Sequence, residues 1–339
     1  MPKILAGPEK MKTLPAHFDG TRFRNLIPRR HGFGAALRWM VSRRQGQWRK
    51  VVDSRPSQLP PRSSERLRVT FVNHSTFLIQ LNGINILTDP VWSERASPVS
   101  WIGPRRVRAP GVSLGHLPPI DLILLSHDHY DHLDLPTLRL LAERHRPTIY
   151  AGLKMRPILA LNGIQNVVEL DWWQEAAART DMWLTAVPAQ HFSGRTPFDR
   201  DKRLWCGFVL QTDDLAIYFA GDTGAGPQTE QIAQHFPELD LAILPIGAFR
   251  PEWFMGEVHM SPQDAVQAHI TLGARVSVAS HFGTFPLADD GDDEALHDLH
   301  DILGHTDLHE TEFWVLRFGE GREVPLRSLA GQSRRGAAR

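Results

Sequence analysis

Beyond Leu67 the apolar positions come in short runs with strand character. Residues 67–72 (LRVTFV) and 75–81 (STFLIQL) are dense in β-branched and aromatic side chains. Asn82-Gly83 then turns the chain into 84–89 (INILTD), a hairpin signal. Residues 121–126 (DLILLS) are almost continuously apolar, as expected of a short strand buried on both faces. Further strands are predicted over 148–152, 167–171, 182–189, 204–212, 215–221, 239–247, 275–281 and 313–319, and helices over 135–145, 227–236, 262–273 and 292–304. The third helix carries good end signals: Ser261 as N-cap, Pro262 at its first position, Asp264 in its first turn and Gly273 at its end. Hairpins come first and strand–helix alternation follows. That order suits two sheets packed face to face with helices outside, an α/β four-layer αββα sandwich.

Residues 1–66 read as an N-terminal arm. A basic, proline-bearing stretch (22–30) precedes a short helix whose apolar side would be Phe33, Leu37, Trp39, Met40 and Val41, edged by Arg38, Arg43 and Arg44. The arm either packs on the main domain or faces a membrane surface or a substrate entrance, since cationic amphipathic helices lie well on anionic lipid. The main domain spans 67–330, and 331–339 is a frayed tail. Lys+Arg and Asp+Glu are 38 each, so bulk charge gives no reason to expect nucleic acid. Cys206 is the only cysteine, which excludes an internal disulfide and a cysteine-rich zinc site. No run suits a signal peptide or a membrane span, so a soluble, cytoplasmic protein is expected, with peripheral membrane contact through the arm left open.

The chain has 17 histidines, and their placement is the main chemical signal. The segment LSHDHYDHLD puts His127, His129, Asp131 and His132 directly after a buried strand. In extended backbone, residues two apart point the same way, so His127 and His129 can converge on one ion. Asp131 and His132 follow as the chain turns and can face a neighbouring ion. Four such donors within six residues, facing two positions, suit half of a two-metal site better than one closed tetrahedral site. Three more predicted strands end in a possible ligand: His191, Asp222 and His281. Against these, His74 reads as a core or supporting residue, and His297, His300, His305 and His309 as exposed. Asp171 to Trp173 reads as packing, and Cys206 as a buried, inert thiol.

These motifs resemble the metallo-β-lactamase superfamily, and more narrowly the N-acylphosphatidylethanolamine-hydrolysing phospholipase D family and its bacterial relatives. The resemblance rests on LTDPVWSERASPVSWIGPRRVR, LPPIDLILLSHDHYDHLD, VVELDWW, PAQHFSGRTPFDRDKRLWCGF, FAGDTG, LPIGAFRPEWFM, HMSPQDAV and SHFGTFPL, in that order from about Leu67 to Gly319. It implies the αββα fold and two zinc ions. His127, His129 and His191 would hold one zinc; Asp131, His132 and His281 the other; Asp222 would bridge them. It also implies that Tyr130 and His259 contact the substrate phosphate region. Homodimers are common in such a family, and a homodimer stays open here.

Two Zn²⁺, two carboxylates and one hydroxide leave a local charge of about +1, which favours a singly charged anion such as a phosphodiester. A metal lowers the pKa of water to about 7, so a metal-bridged hydroxide oriented by Asp222 is the expected nucleophile. The residues alone point to hydrolysis of a phosphodiester; the resemblance implies a metal-dependent, phospholipase D-like reaction on an N-acylphosphatidylethanolamine-type phospholipid, giving N-acylethanolamine and phosphatidic acid. A same-fold lactonase, or a phosphodiesterase acting on a small phosphorylated metabolite, is the alternative. A lipid needs a long apolar groove, for which Phe33, Trp39, Met40, Trp101 and Trp253 are candidates. Di-iron redox relatives carry a carboxylate where this chain has His129, and a metal-free scaffold would not be expected to keep all seven donors.

Overall fold

A computed structural model describes residues 15–49, 59–308 and 311–325. The expected tail at 331–339 and His309 lie outside these residues. Among the described residues fourteen strands form two seven-stranded sheets. The first contains β1 (Arg68–Asn73), β2 (Thr76–Leu81), β3 (Ile84–Thr88), β4 (Leu122–Leu125), β5 (Thr148–Gly152) and β6 (Val167–Leu170). The second contains β7 (Glu175–Arg179), β8 (Met182–Val187), β9 (Gly207–Gln211), β10 (Ala216–Phe219), β11 (Leu241–Pro245), β12 (Val276–Ser280) and β13 (Phe313–Trp314). The last strand, β14 (Gly321–Glu323), returns to the first sheet beside β1. Each sheet begins antiparallel and turns parallel, at β3–β4 in the first and at β10–β11 in the second.

Alternation along the strands produces the layers. Phe71, Phe77, Ile79, Ile86, Leu122, Leu124 and Tyr150 belong to the large core shared with the second sheet. Their neighbours Val72, Leu78, Leu87, Ile123, Leu125 and Ile149 form a separate core with α2 (Leu135–His145) and α3 (Arg156–Ala160). Strands buried on both faces read as unbroken apolar runs for this reason. Phe71, Phe77, Phe208 and Phe219 are fully buried, each contributing about 1.5–3 kcal/mol of transfer free energy. On the far side, α4 (Gln228–His235), α6 (Pro262–Leu272) and α7 (Glu294–Leu303) cover the second sheet through Ile232, Val266 and Leu299. The architecture is the four-layer αββα sandwich.

Local signals act where expected. Asn82 and Gly83 both take positive φ in the β2–β3 turn. Ser261 and Asp264 form a reciprocal capping box at α6, and Gly273 ends it in the left-handed region. The short elements α3, α5 (Glu252–Met255) and β14 (Gly321–Glu323) were not expected, and two further strands depart from expectation. Residues 175–179 (EAAAR), which carry no strand pattern, pair with β8 across a two-residue turn because the sheet edge supplies the partner. The strand expected over 313–319 is limited to Phe313–Trp314, after which the chain turns toward β1. The arm includes α1 (Phe33–Ser42), with Trp39 stacked on Phe254 of the short helix α5 (Glu252–Met255), while Leu37, Met40 and Val41 stay exposed. Among the described residues no helix is long and apolar enough to cross a membrane.

Candidate metal centre

All seven candidate ligands lie beyond the C-terminal ends of strands. His127 and His129 follow β4. The chain then turns, with His132 and Leu133 both donating backbone N–H groups to the His129 carbonyl (3.1 and 2.7 Å), which swings Asp131 and His132 to a second position. His191, Asp222 and His281 follow β8, β10 and β12. The edge of the two sheets where their parallel strands end is thus where chemistry gathers, as is usual for open α/β sheets.

These side chains meet in two groups. His127 Nε2 and His191 Nε2 lie 2.9 and 3.2 Å from His129 Nδ1. Asp131 Oδ2 lies 3.3 Å from His132 Nε2 and 3.4 Å from His281 Nε2. Asp222 Oδ2 stands between the groups. It is 3.1 and 3.0 Å from His132 and His281 Nε2, and 3.9 and 3.8 Å from His127 and His191 Nε2. Of the other two candidates, His259 places Nδ1 3.9 Å from Asp222 Oδ2, at the half-open rim. Tyr130 is partly exposed, but its hydroxyl donates to the Arg195 carbonyl (2.9 Å) and the Arg195 guanidinium covers its ring. His297, His300 and His305 are exposed, Trp172 and Cys206 buried.

His132 Nε2, both ring nitrogens of His281, His259 Nδ1 and Asp222 Oδ1 are buried without a hydrogen-bond partner. Unpartnered buried donors and acceptors are costly, so their concentration at one spot calls for a ligand. A set of five imidazoles and two carboxylates, with one carboxylate oxygen between two groups, fits a pair of divalent cations.

Electrostatics divide the groups. Burial, then the neighbouring histidines, hold His127 and His191 well below the usual imidazole range, leaving their lone pairs free. Burial also lowers His129. In the other group burial opposes protonation, but Asp222 and Asp131 outweigh it: His132 is raised well above the ordinary value and His281 to about 9. Burial opposes ionisation of Asp131 and Asp222 as well, and the histidines overcome it, keeping both carboxylates well below their usual range. Burial lowers His259 to about 4, so it is neutral at neutral pH.

Around the ligands stand residues to which, His74 apart, sequence reasoning assigned no role. Asp89, in the quoted LTDP, accepts from His132 Nδ1, and the Val258 carbonyl accepts from His191 Nδ1 (2.8 Å), so each ring directs Nε2 inward. His74, read from the sequence as a core or supporting residue, is buried with Nε2 3.0 Å from Asp131 Oδ2, close enough to Asp131, His132 and His281 to share an ion with them. Asp128, inside the histidine motif, accepts from the Gly194 N–H and pairs with Arg203, tying the loop after His191 to β4. Asp89, His74 and His281 all have positive φ, a strain of about 1–3 kcal/mol each that concentrates at this edge.

A family profile described as a beta-lactamase superfamily domain matches residues 84–282. An uncharacterised Mycobacterium tuberculosis protein is 40% identical over 230 residues, 66% of this chain and 61% of its own length. The chain thus spans less than two thirds of that relative. The N-acyl-phosphatidylethanolamine-hydrolyzing phospholipase D 1 of Caenorhabditis elegans is 34% identical over 275 residues, 76% of each chain. Among solved structures, the metallo hydrolase Igni18 of Ignicoccus hospitalis matches with TM-score 0.58 at 23% identity, covering 77% of this chain and 99% of its own. CmlA of Streptomyces venezuelae, a diiron β-hydroxylase, matches at TM-score 0.55 and 19% identity over 78% of this chain and 55% of its own. The sheets, the strand-end histidines and these likenesses agree that the chain belongs to the metallo-β-lactamase superfamily, a family of metal-dependent hydrolases.

Proposed function

We propose that the protein is a dizinc phosphodiesterase acting on an N-acylphosphatidylethanolamine-type phospholipid. The observation that carries this reading is Asp222 Oδ2, which lies within 3.9 Å of an imidazole nitrogen from each of the two groups. His127, His129 and His191 would hold one ion, Asp131, His132 and His281 the other, with Asp222 between them. An imidazole-rich donor set favours zinc. Bound there, the two ions would supply Lewis acidity and a water acidic enough to ionise near neutral pH.

The protein's own groups do the rest. Asp222, buried and ionised, orients the attacking water by accepting from it. His259, neutral and partly exposed, can hydrogen-bond a phosphoryl oxygen without adding charge, and Tyr130 is partly exposed as well. A cavity of about 580 Å³, lined in part by Asn25, which binds the His191 backbone, sets Arg24, Arg29 and Arg200 with Asp201, the partner of the last two, beside Phe23, Trp205 and Phe254, a lining of net positive charge with an apolar wall. Leu37, Met40 and Val41 are exposed on α1 next to Arg38 and Arg44, which supports contact with a lipid surface. The 34% identity to the nematode phospholipase D supports the choice of substrate.

The test is to assay the metal-loaded protein on N-acylated phospholipid vesicles, a simple aryl phosphodiester and a lactone, with metal analysis. Release of N-acylethanolamine and phosphatidic acid, lost in His127→Ala and Asp222→Asn, is the expected result. Turnover of the lactone alone, or wild-type turnover by either variant, would overturn the proposal.

A further inference from the structure

The arm is joined to the metal centre by a side chain that behaves like a strand partner. Asn25 Nδ2 donates to the His191 carbonyl (2.7 Å), and the His191 N–H donates to Asn25 Oδ1 (3.1 Å), so one carboxamide takes up both backbone groups of a single residue. Trp205 Nε1 also donates to Asn25 Oδ1 (2.9 Å), which settles the orientation of the amide. The residue before His191 answers in kind. Gln190 donates through Nε2 to the Ile27 carbonyl (2.6 Å), and its Oε1 accepts from the Ile27 N–H (3.3 Å). The backbone of Gln190 then binds Thr223 Oγ1 and the Gly224 N–H, next to Asp222. Farther along, the arm grips the segment after His281: Trp39 Nε1 donates to Asp289 and Trp48 Nε1 to the Asp290 carbonyl.

We propose that Asn25 is a positioning residue of the metal centre, holding the His191 peptide so that His191 Nε2 meets His127, His129 and Asp222. The assignment rests on the dimetal reading above. His191 sits in a loop rather than in a strand, so no ladder fixes its backbone; the arm supplies that constraint. A misplaced imidazole weakens metal binding, and removing a group that orients a ligand typically costs about 10–100-fold in affinity.

The experiment titrates the metal-free full-length chain with Co²⁺ and follows the visible d–d absorption. Wild type takes up two ions. Asn25→Ala is expected to bind one of them about 10–100-fold more weakly, with altered bands, and the other normally. Asn25→Asp, which keeps the contacts to Trp205 and the His191 N–H but sets an oxygen against the His191 carbonyl, should weaken the same ion. It carries the test if Asn25→Ala fails to fold. Trp39→Ala, which loosens the arm away from His191, should lower Tm yet keep wild-type bands and affinity. Wild-type uptake of both ions by the Asn25 variants, or equal weakening in Trp39→Ala, would overturn the proposal. A wild-type chain that takes up no ion would overturn the dimetal reading itself.

Discussion

Asp89 supports His132 and His127 at once. Its Oδ2 accepts from His132 Nδ1 at 2.6 Å and from Ser126 Oγ at 2.5 Å, and Ser126 Oγ in turn lies 2.9 Å from His127 Nδ1. Its Oδ1 accepts from the Ser126 N–H at 2.7 Å. One buried carboxylate thus orients an imidazole in each of the two groups. Asp89→Ala should lower metal affinity about 10–100-fold for both ions, unlike a change at Asn25. Competition against a chelator measures this, and an unchanged affinity would refute the role.

Gly247 presses on the backbone of His281. A Cβ at this position would lie 2.0 Å from the His281 carbonyl oxygen, too close for any side chain. The approach lets His281 leave β12 at φ +60° and turn toward Asp222. Gly247→Ala should displace His281, costing about 1–3 kcal/mol in stability and weakening the ion held by His281. Thermal melts with and without metal will show the variant losing most of its metal-dependent rise in Tm.

Metal uptake should depend on pH. His281 is raised to about 9 in the metal-free protein, so it carries a proton at neutral pH that an ion must displace. For that proton affinity should climb by up to about tenfold per pH unit until about pH 9, and His132, also raised, adds a second proton acting in the same direction. The sign for the metal-free fold is opposite. The protonated His281 contributes stability that is complete below its ordinary value of 6.5 and lost as pH rises through about 9. Isothermal titration between pH 6 and 9 checks the first expectation, with metal-free melts over the same range checking the second. A flat affinity would contradict the site.

His259 separates ligation from substrate contact. It lies 3.9 Å from Asp222 Oδ2 but remains at the rim, neutral down to about pH 4. His259→Ala should lower kcat by about 100-fold while the protein still binds two ions. Loss of an ion in this variant would move His259 into the ligand set instead.

Part of this molecule was legible along the chain. Helix α2 and strand β5 occupy the predicted residues because Asp134 caps the one and Pro147 precedes the other, both local facts. The histidine motif could be read as two half-sites because the strand-to-turn change after β4 lies within six residues. By contrast, EAAAR carries no strand signal; its partner β8 makes it a strand. Asn25 gives no signal either, since its contact with His191 spans 166 residues and involves backbone groups that no composition or spacing marks.

By itself, then, the sequence determined the layers and the donors. Period-two alternation and apolar runs are properties of neighbouring residues, and so are strand ends that carry His or Asp. Only the tertiary structure decided which donors face each other, that Asp222 stands between the groups, and that the N-terminal arm is tied to His191 and to the segment after His281. Those relationships depend on how two twisted sheets register against one another. That register comes from the summed packing of dozens of buried side chains, which no local stretch of sequence contains.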